Sequence, residues 1–182
     1  MKSIDNKSAG NLAMPQDKAL MTPTDLKSGE TKDIAVAMNG ILANVFALYL
    51  KTKNFHWHMS GPHFRDYHVM LDEQSDQLFE MTDPIAERIR KVGGTTLRSI
   101  SHISSLQTIK DNNEAYVTPA AMLAELRDDN KALAVHLRDV HEVCDAQRDI
   151  ASASLIENWT DETERRTWFL FEASRPADDS GH

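Results

Sequence analysis

Residues 56–93 read HWHMSGPHFRDYHVMLDEQSDQLFEMTDPIAERIRKVG. After the break at Ser60-Gly61-Pro62-His63, the apolar positions follow a helical period from about His63 to Val92, where Gly93-Gly94 supplies a glycine stop. This predicted helix carries His68 and Asp72 one turn apart, then Asp83 and Glu87 one turn apart. With His68 as the zero of angle at about 100° per residue, Asp72 falls near ~40°, Asp83 near ~60° and Glu87 near ~100°. The four side chains share a face, yet Asp72 and Asp83 are separated by about 16 Å along the axis at ~1.5 Å per residue. Bonds to a metal ion are only about 2 Å long, so one ion cannot bridge the two pairs of a rigid helix.

A two-fold axis closes the gap. If the helix lies antiparallel to its copy, the His68/Asp72 end of one chain meets the Asp83/Glu87 end of the other, and isologous symmetry yields two equal sites per dimer. Each site holds one imidazole and three carboxylates, with His56 of the preceding helix available as a second imidazole. Mixed imidazole and carboxylate donors suit iron better than the all-oxygen sites of calcium or the thiolate-rich sites of zinc. Each pair also has a plainer reading, because charged residues four apart usually make a solvated helix face. His68 by itself also fits a hydrogen-bonded core histidine. Asp83-Pro84 further matches an N-cap followed by a first-turn proline, which would restart the helix there.

The rest of the chain frames this helix. A first helix is expected from an N-cap at Thr31 to about Met59, with Ile34, Met38, Ile41, Leu42, Val45 and Leu48 on one stripe. Phe46, Leu50 and Trp57 form a second apolar flank, which predicts contacts beyond the chain's own core. A short amphipathic helix is expected around Ser99–Leu106, inside a long linker. Thr118-Pro119 opens the next helix, ending near Gln147, and the last covers Ile150–Ala173. The fold class is therefore all-α: a four-helix bundle with a short extra helix in the crossover between its second and third long helices. Residues 1–30 read as a flexible tail, 31–173 as the bundle and 174–182 as a short C-terminal tail.

Composition narrows the function classes. The 182 residues carry a net charge of −8, which argues against a protein that coats nucleic acid by charge alone. Cys144 is the only cysteine, so no internal disulfide forms. The N-terminal stretch lacks the apolar core of a secretory signal, and no apolar run reaches the roughly 20 residues of a bilayer span, so a cytoplasmic location and no membrane partner are expected.

The residues also carry a family resemblance. His56-Trp57, Met59-x-Gly61, His68-x-Met70-Leu71-Asp72, Asp83-x-x-Ala86-Glu87-Arg88 with Gly93-Gly94, and Trp168-Phe169-Leu170 resemble the signature of the Dps mini-ferritins, the DNA-binding proteins from starved cells. The resemblance spans about Thr31 to Ala173. It implies a ferritin-like bundle assembled as a hollow homo-dodecamer of two-fold dimers. Its members bind Fe(II) between subunits, oxidise it preferentially with hydrogen peroxide (dioxygen being the other oxidant) and store ferric mineral. Carried over by position, His56, His68 and Asp72 belong to one subunit's half-site, and Asp83 and Glu87 to the other's. Trp57 takes the place of a one-electron relay, with packing at the dimer interface as its alternative.

Several positions depart from the pattern or add to it. Pro84 sits inside the helix, where a kink near Glu80–Asp83 is expected to re-aim Asp83. In similar shells, acids near the start of the last helix line three-fold pores. Asp149 fits that place, Ser154 stands where another aspartate is common, and Asp145, Glu157 and Asp161 are substitutes. His58 is expected on a different face from His56 and His63 in a loop, while His102, His136 and His141 follow no pattern. Members that bind DNA often use a lysine-rich tail. Here Lys2, Lys7, Lys18, Lys27 and Lys32 are matched by Asp5, Asp17, Asp25, Glu30 and Asp33, so DNA binding is disfavoured. A nucleoid-compacting protein with secondary iron chemistry is the alternative function.

Overall fold

The computed structural model describes residues 20–175; most of each expected tail lies outside the described residues. Five helices follow in chain order: α1 (Ser28–His58), α2 (Phe64–Lys91), α3 (Ile100–Leu106), α4 (Pro119–Ala146) and α5 (Ile150–Ala173). There is no strand among the described residues.

Helix α1 starts three residues before the expected Thr31 cap. The Glu30 carboxylate accepts a hydrogen bond from the Lys27 backbone N–H at 2.8 Å and pairs with the Lys27 ammonium at 3.2 Å. That reach back over three residues is half of a capping box, and it satisfies a first-turn donor without a Ser or Thr cap. Thr31 instead lies within the helix and donates its hydroxyl to the Val92 carbonyl at 3.0 Å, tying the start of α1 to the end of α2. Leu26, placed in the tail by the sequence reading, packs against the core.

The remaining boundaries obey local chemistry. The Thr118 hydroxyl accepts from Ala121 N–H at 3.3 Å with Pro119 in the first turn of α4. Gly93 adopts φ 89° after α2, a left-handed conformation that glycine enters without a Cβ penalty. Gly94 serves a different need. A Cβ added there would lie 2.6 Å from the Ala35 Cβ, so only glycine lets this turn press against α1. Helix α2 continues through Pro84 to Lys91 and does not restart at Asp83.

The stripe expected on α1 is the centre of the core: Ile34, Met38, Ile41, Leu42, Val45 and Leu48 are fully buried. Across it pack Leu71, Leu78, Ile85 and Ile89 of α2, Leu126, Leu133 and Leu137 of α4, and Ile156 and Leu170 of α5. Helix α1 is long and apolar enough to cross a membrane, with a mean hydropathy of 1.6 in its best window, contrary to the sequence reading. Its apolar residues are spent on the bundle instead: half of that window is buried.

Pairings across the bundle show that neighbouring helices run antiparallel. Lys51 of α1 reaches Glu125 and Asp129 of α4, while Asn44 reaches His136. Tyr67 of α2 donates to the Ala173 carbonyl of α5 at 3.0 Å. The crossover is pinned chiefly by Asn44, whose side-chain oxygen accepts from the backbone N–H groups of Thr108 and Ile109 at 2.7 and 3.1 Å. This all-α bundle with one short crossover helix is the architecture expected from the sequence.

Candidate metal centre

The last two turns of α1 lie beside the first two turns of α2, which brings His56 and His68 together. Their rings stack with centroids 3.7 Å apart and planes at 21°. His56 Nδ1 lies 2.8 Å from the His68 carbonyl oxygen, and His68 Nδ1 lies 2.9 Å from the His56 carbonyl oxygen. A carbonyl oxygen only accepts, so each Nδ1 must carry the hydrogen and donate. In the neutral rings both Nε2 atoms therefore keep a lone pair, which is the tautomer needed for metal ligation.

Asp72 completes this end. Its Oδ1 is 3.7 Å from His56 Nε2. The same oxygen accepts from the Lys53 ammonium at 2.5 Å, and Lys53 also approaches Asp76 Oδ1 at 3.8 Å. The Lys53 hydrogen bond holds the Asp72 carboxyl below the usual carboxylate range, and the charge of Lys53 adds to that effect. Sequence reasoning missed Lys53. Its signal was present, one helical turn before His56 on the same side of α1.

Asp83 and Glu87 stand farther along α2 and are exposed. Glu87 pairs with Lys91, also on α2, at 2.9 Å. Among the described residues, no three His, Cys, Asp or Glu side chains of the chain stand close enough together to hold a metal ion. One chain thus presents an imidazole–carboxylate cluster at one end of α2 and two carboxylates at the other. Trp57 lies next to His56 in sequence and is 61% exposed.

Other candidates resolve differently. Asp149 is buried, forms an ion pair with Arg88 and accepts from the Ser152 backbone N–H at 3.2 Å as the N-cap of α5. It serves the helix start and does not face open water with Asp145, Glu157 and Asp161, which are exposed. Glu157 meets His141 Nε2 at 3.3 Å, giving that histidine a partner the sequence did not suggest. His136 is half-buried against Gly40 and Asn44, a packing histidine far in sequence from the cluster. Cys144 is buried, and its thiol is pushed up to about 12, chiefly by desolvation.

Comparison with known proteins identifies the family. The ferritin-like domain family matches residues 35–173. An uncharacterized low temperature-induced protein of Nostoc sp. is 33% identical over 147 residues, covering 79% of this chain and 82% of that protein. A DNA protection during starvation protein of Agrobacterium fabrum is 31% identical over 160 residues, covering 84% of this chain and 94% of its own. Among solved structures, the Dps protein of Vibrio cholerae, described as a member of a broad superfamily of ferritin-like diiron-carboxylate proteins, superposes with a TM-score of 0.78 at 25% identity, over 82% of this chain and 94% of that one. The bundle, the helix-borne histidine and carboxylates and these relatives together place the chain in the ferritin-like family, as a Dps protein.

Proposed function

We propose that the protein is a mini-ferritin that captures Fe(II), oxidises it at sites shared between two subunits, and stores the ferric product inside a hollow homo-dodecamer. The observation that carries this reading is the division of donors on α2. His56 of α1 lies beside His68 and near Asp72 at one end of α2, whereas Asp83 stands about 16 Å and Glu87 about 22 Å from Asp72 by helix rise, open to a second copy. Antiparallel pairing of two α2 helices joins the two ends, with the partner subunit's Asp83 and Glu87 facing His68 and Asp72. Exposed Leu50, Trp57 and Phe79 supply apolar area for such an interface.

The chemistry follows from the donors. Carboxylates are hard anionic ligands and favour the ferric over the ferrous state, while the neutral imidazoles bind Fe(II) without adding charge. Two Fe(II) ions each give up one electron. Hydrogen peroxide accepts both as its O–O bond breaks, and protons leave as the ferric ions take up hydroxide. Dioxygen is the slower oxidant in this reading. Trp57 serves as a one-electron relay beside the site. Exposed Asp145, Glu157 and Asp161 form an acidic approach that raises the local cation concentration at the entry pores. Consumption of Fe(II) and peroxide together suppresses hydroxyl-radical damage in the cytoplasm.

The experiment mixes Fe(II) anaerobically with the assembled protein, adds peroxide, and follows ferric absorbance. Rapid oxidation without precipitation is expected; a rate equal to that of buffer would contradict the proposal. The name of the Agrobacterium fabrum relative points to DNA, but residues 1–33 carry five lysines against five acids. No counterion-release surplus follows from that balance, so a gel shift at physiological salt is expected to show no complex.

A further inference from the structure

We propose that Lys53 is a resident counter-ion of the half-site: an incoming metal ion must displace its ammonium from Asp72, and Asp76 is the carboxylate that receives it. This inference rests on the shared-site reading above. The argument begins with one oxygen. Asp72 Oδ1 lies 3.7 Å from His56 Nε2 and is therefore an oxygen placed to bind a metal together with that imidazole. The same Oδ1 holds Lys53 Nζ at 2.5 Å. An ammonium and a divalent ion at one carboxylate oxygen repel each other, so the two compete for it.

Lys53 is poorly placed to retreat into solvent. Its side chain is only 16% exposed, against 50% for Asp72 and 70% for Asp76, so the stem is held between α1 and α2. Asp76 lies one turn past Asp72 on the same face of α2, with Oδ1 already 3.8 Å from Nζ. A rotation about the outer bonds of the lysine stem exchanges one carboxylate for the next without unpacking the stem. The exchange keeps the positive charge paired and opens Asp72 to the metal. It also lowers the affinity of the Asp72 position, because each metal ion must break an ion pair to enter. A site that holds metal less tightly releases ferric product more readily to a mineral core.

The test uses Co(II), which binds imidazole and carboxylate donors but is not turned over. Assembled wild-type protein and the variants Lys53→Gln, Asp76→Asn, Lys53→Gln/Asp76→Asn and Asp72→Asn are titrated by calorimetry and visible absorption. Lys53→Gln should bind Co(II) about tenfold more tightly. Asp76→Asn should bind about threefold more weakly, since the displaced ammonium loses its second partner. In the Lys53→Gln background, Asp76→Asn should change the affinity by less than about twofold, because Asp76 acts through the lysine and not on the metal. Unchanged or weaker Co(II) binding by Lys53→Gln would overturn the proposal, as would an equal effect of Asp76→Asn with and without Lys53. Asp72→Asn separates the two levels of the account. If it binds Co(II) as wild type does, the site itself is wrong; if it loses binding while Lys53→Gln has no effect, only the counter-ion role is.

Discussion

His56 and His68 fix each other: each ring donates from Nδ1 to the backbone carbonyl of the other, at 2.8 and 2.9 Å. This reciprocal pair does locally what carboxylate partners do for many metal-bound histidines, setting the tautomer and the ring orientation before any metal arrives. It also joins the last turn of α1 to the first turns of α2, so the half-site and the helix junction depend on the same contacts.

Replacing His68 removes one Nε2 ligand and one of the two bonds that orient His56. His68→Ala should therefore lower Co(II) affinity and the Fe(II) oxidation rate by at least about tenfold. The same change should leave the shell size seen by analytical ultracentrifugation unaltered.

Division of the donors between subunits makes a stoichiometric prediction. Asp72→Ala and Glu87→Ala shells should each oxidise Fe(II) slowly. When equal amounts are unfolded and reassembled together, half of the two-fold dimers are mixed, and each mixed dimer regenerates one intact site of its two. Recovery of about one quarter of wild-type activity is expected. A site contained within one chain would recover none.

Acid should loosen the crossover through His136. Its Nδ1 lies 3.0 Å from Asn44 Nδ2, an amide donor, so the contact requires the unprotonated ring nitrogen. Burial pushes the His136 pKa below the usual 6.5, only partly offset by the charge of Asp139. The unfolded chain then takes up the proton first, so this stability is present above pH 6.5 and is lost as pH falls through the depressed folded value. Thermal melts between about pH 7.5 and about 5.5 should show a falling Tm that is flatter in His136→Gln.

Gly94→Ala should be costly for a reason unrelated to chemistry. Its Cβ would meet the Ala35 Cβ at 2.6 Å and the Ile89 side chain at 3.1 Å. The expected destabilisation is about 1–3 kcal/mol by denaturant unfolding.

What could be read in the sequence was whatever local chemistry decides. The Thr118-Pro119 start, the Gly93 stop and the periodic stripe on α1 predict helices within a residue or two of those observed. The start of α1 escaped because Glu30 caps Lys27 through its own side chain, without the usual Ser or Thr. Asp149 read as a pore acid because its partner, Arg88, lies 61 positions away, and only helix packing turns the two toward each other. Lys53 lies one turn before His56, which marks its side of α1, but its bond to Asp72 depends on how α1 is rotated against α2. The separation of Asp72 from Asp83 along one helix follows from helix rise alone, so the need for a partner subunit is legible without tertiary contacts.

The most direct test of the shared site is an anomalous difference map from crystals soaked anaerobically in Fe(II). The account predicts iron between His68 and Asp72 of one subunit and the partner subunit's Glu87, related in pairs by the two-fold axis. Iron bound by side chains of a single subunit, or none near α2, would contradict it.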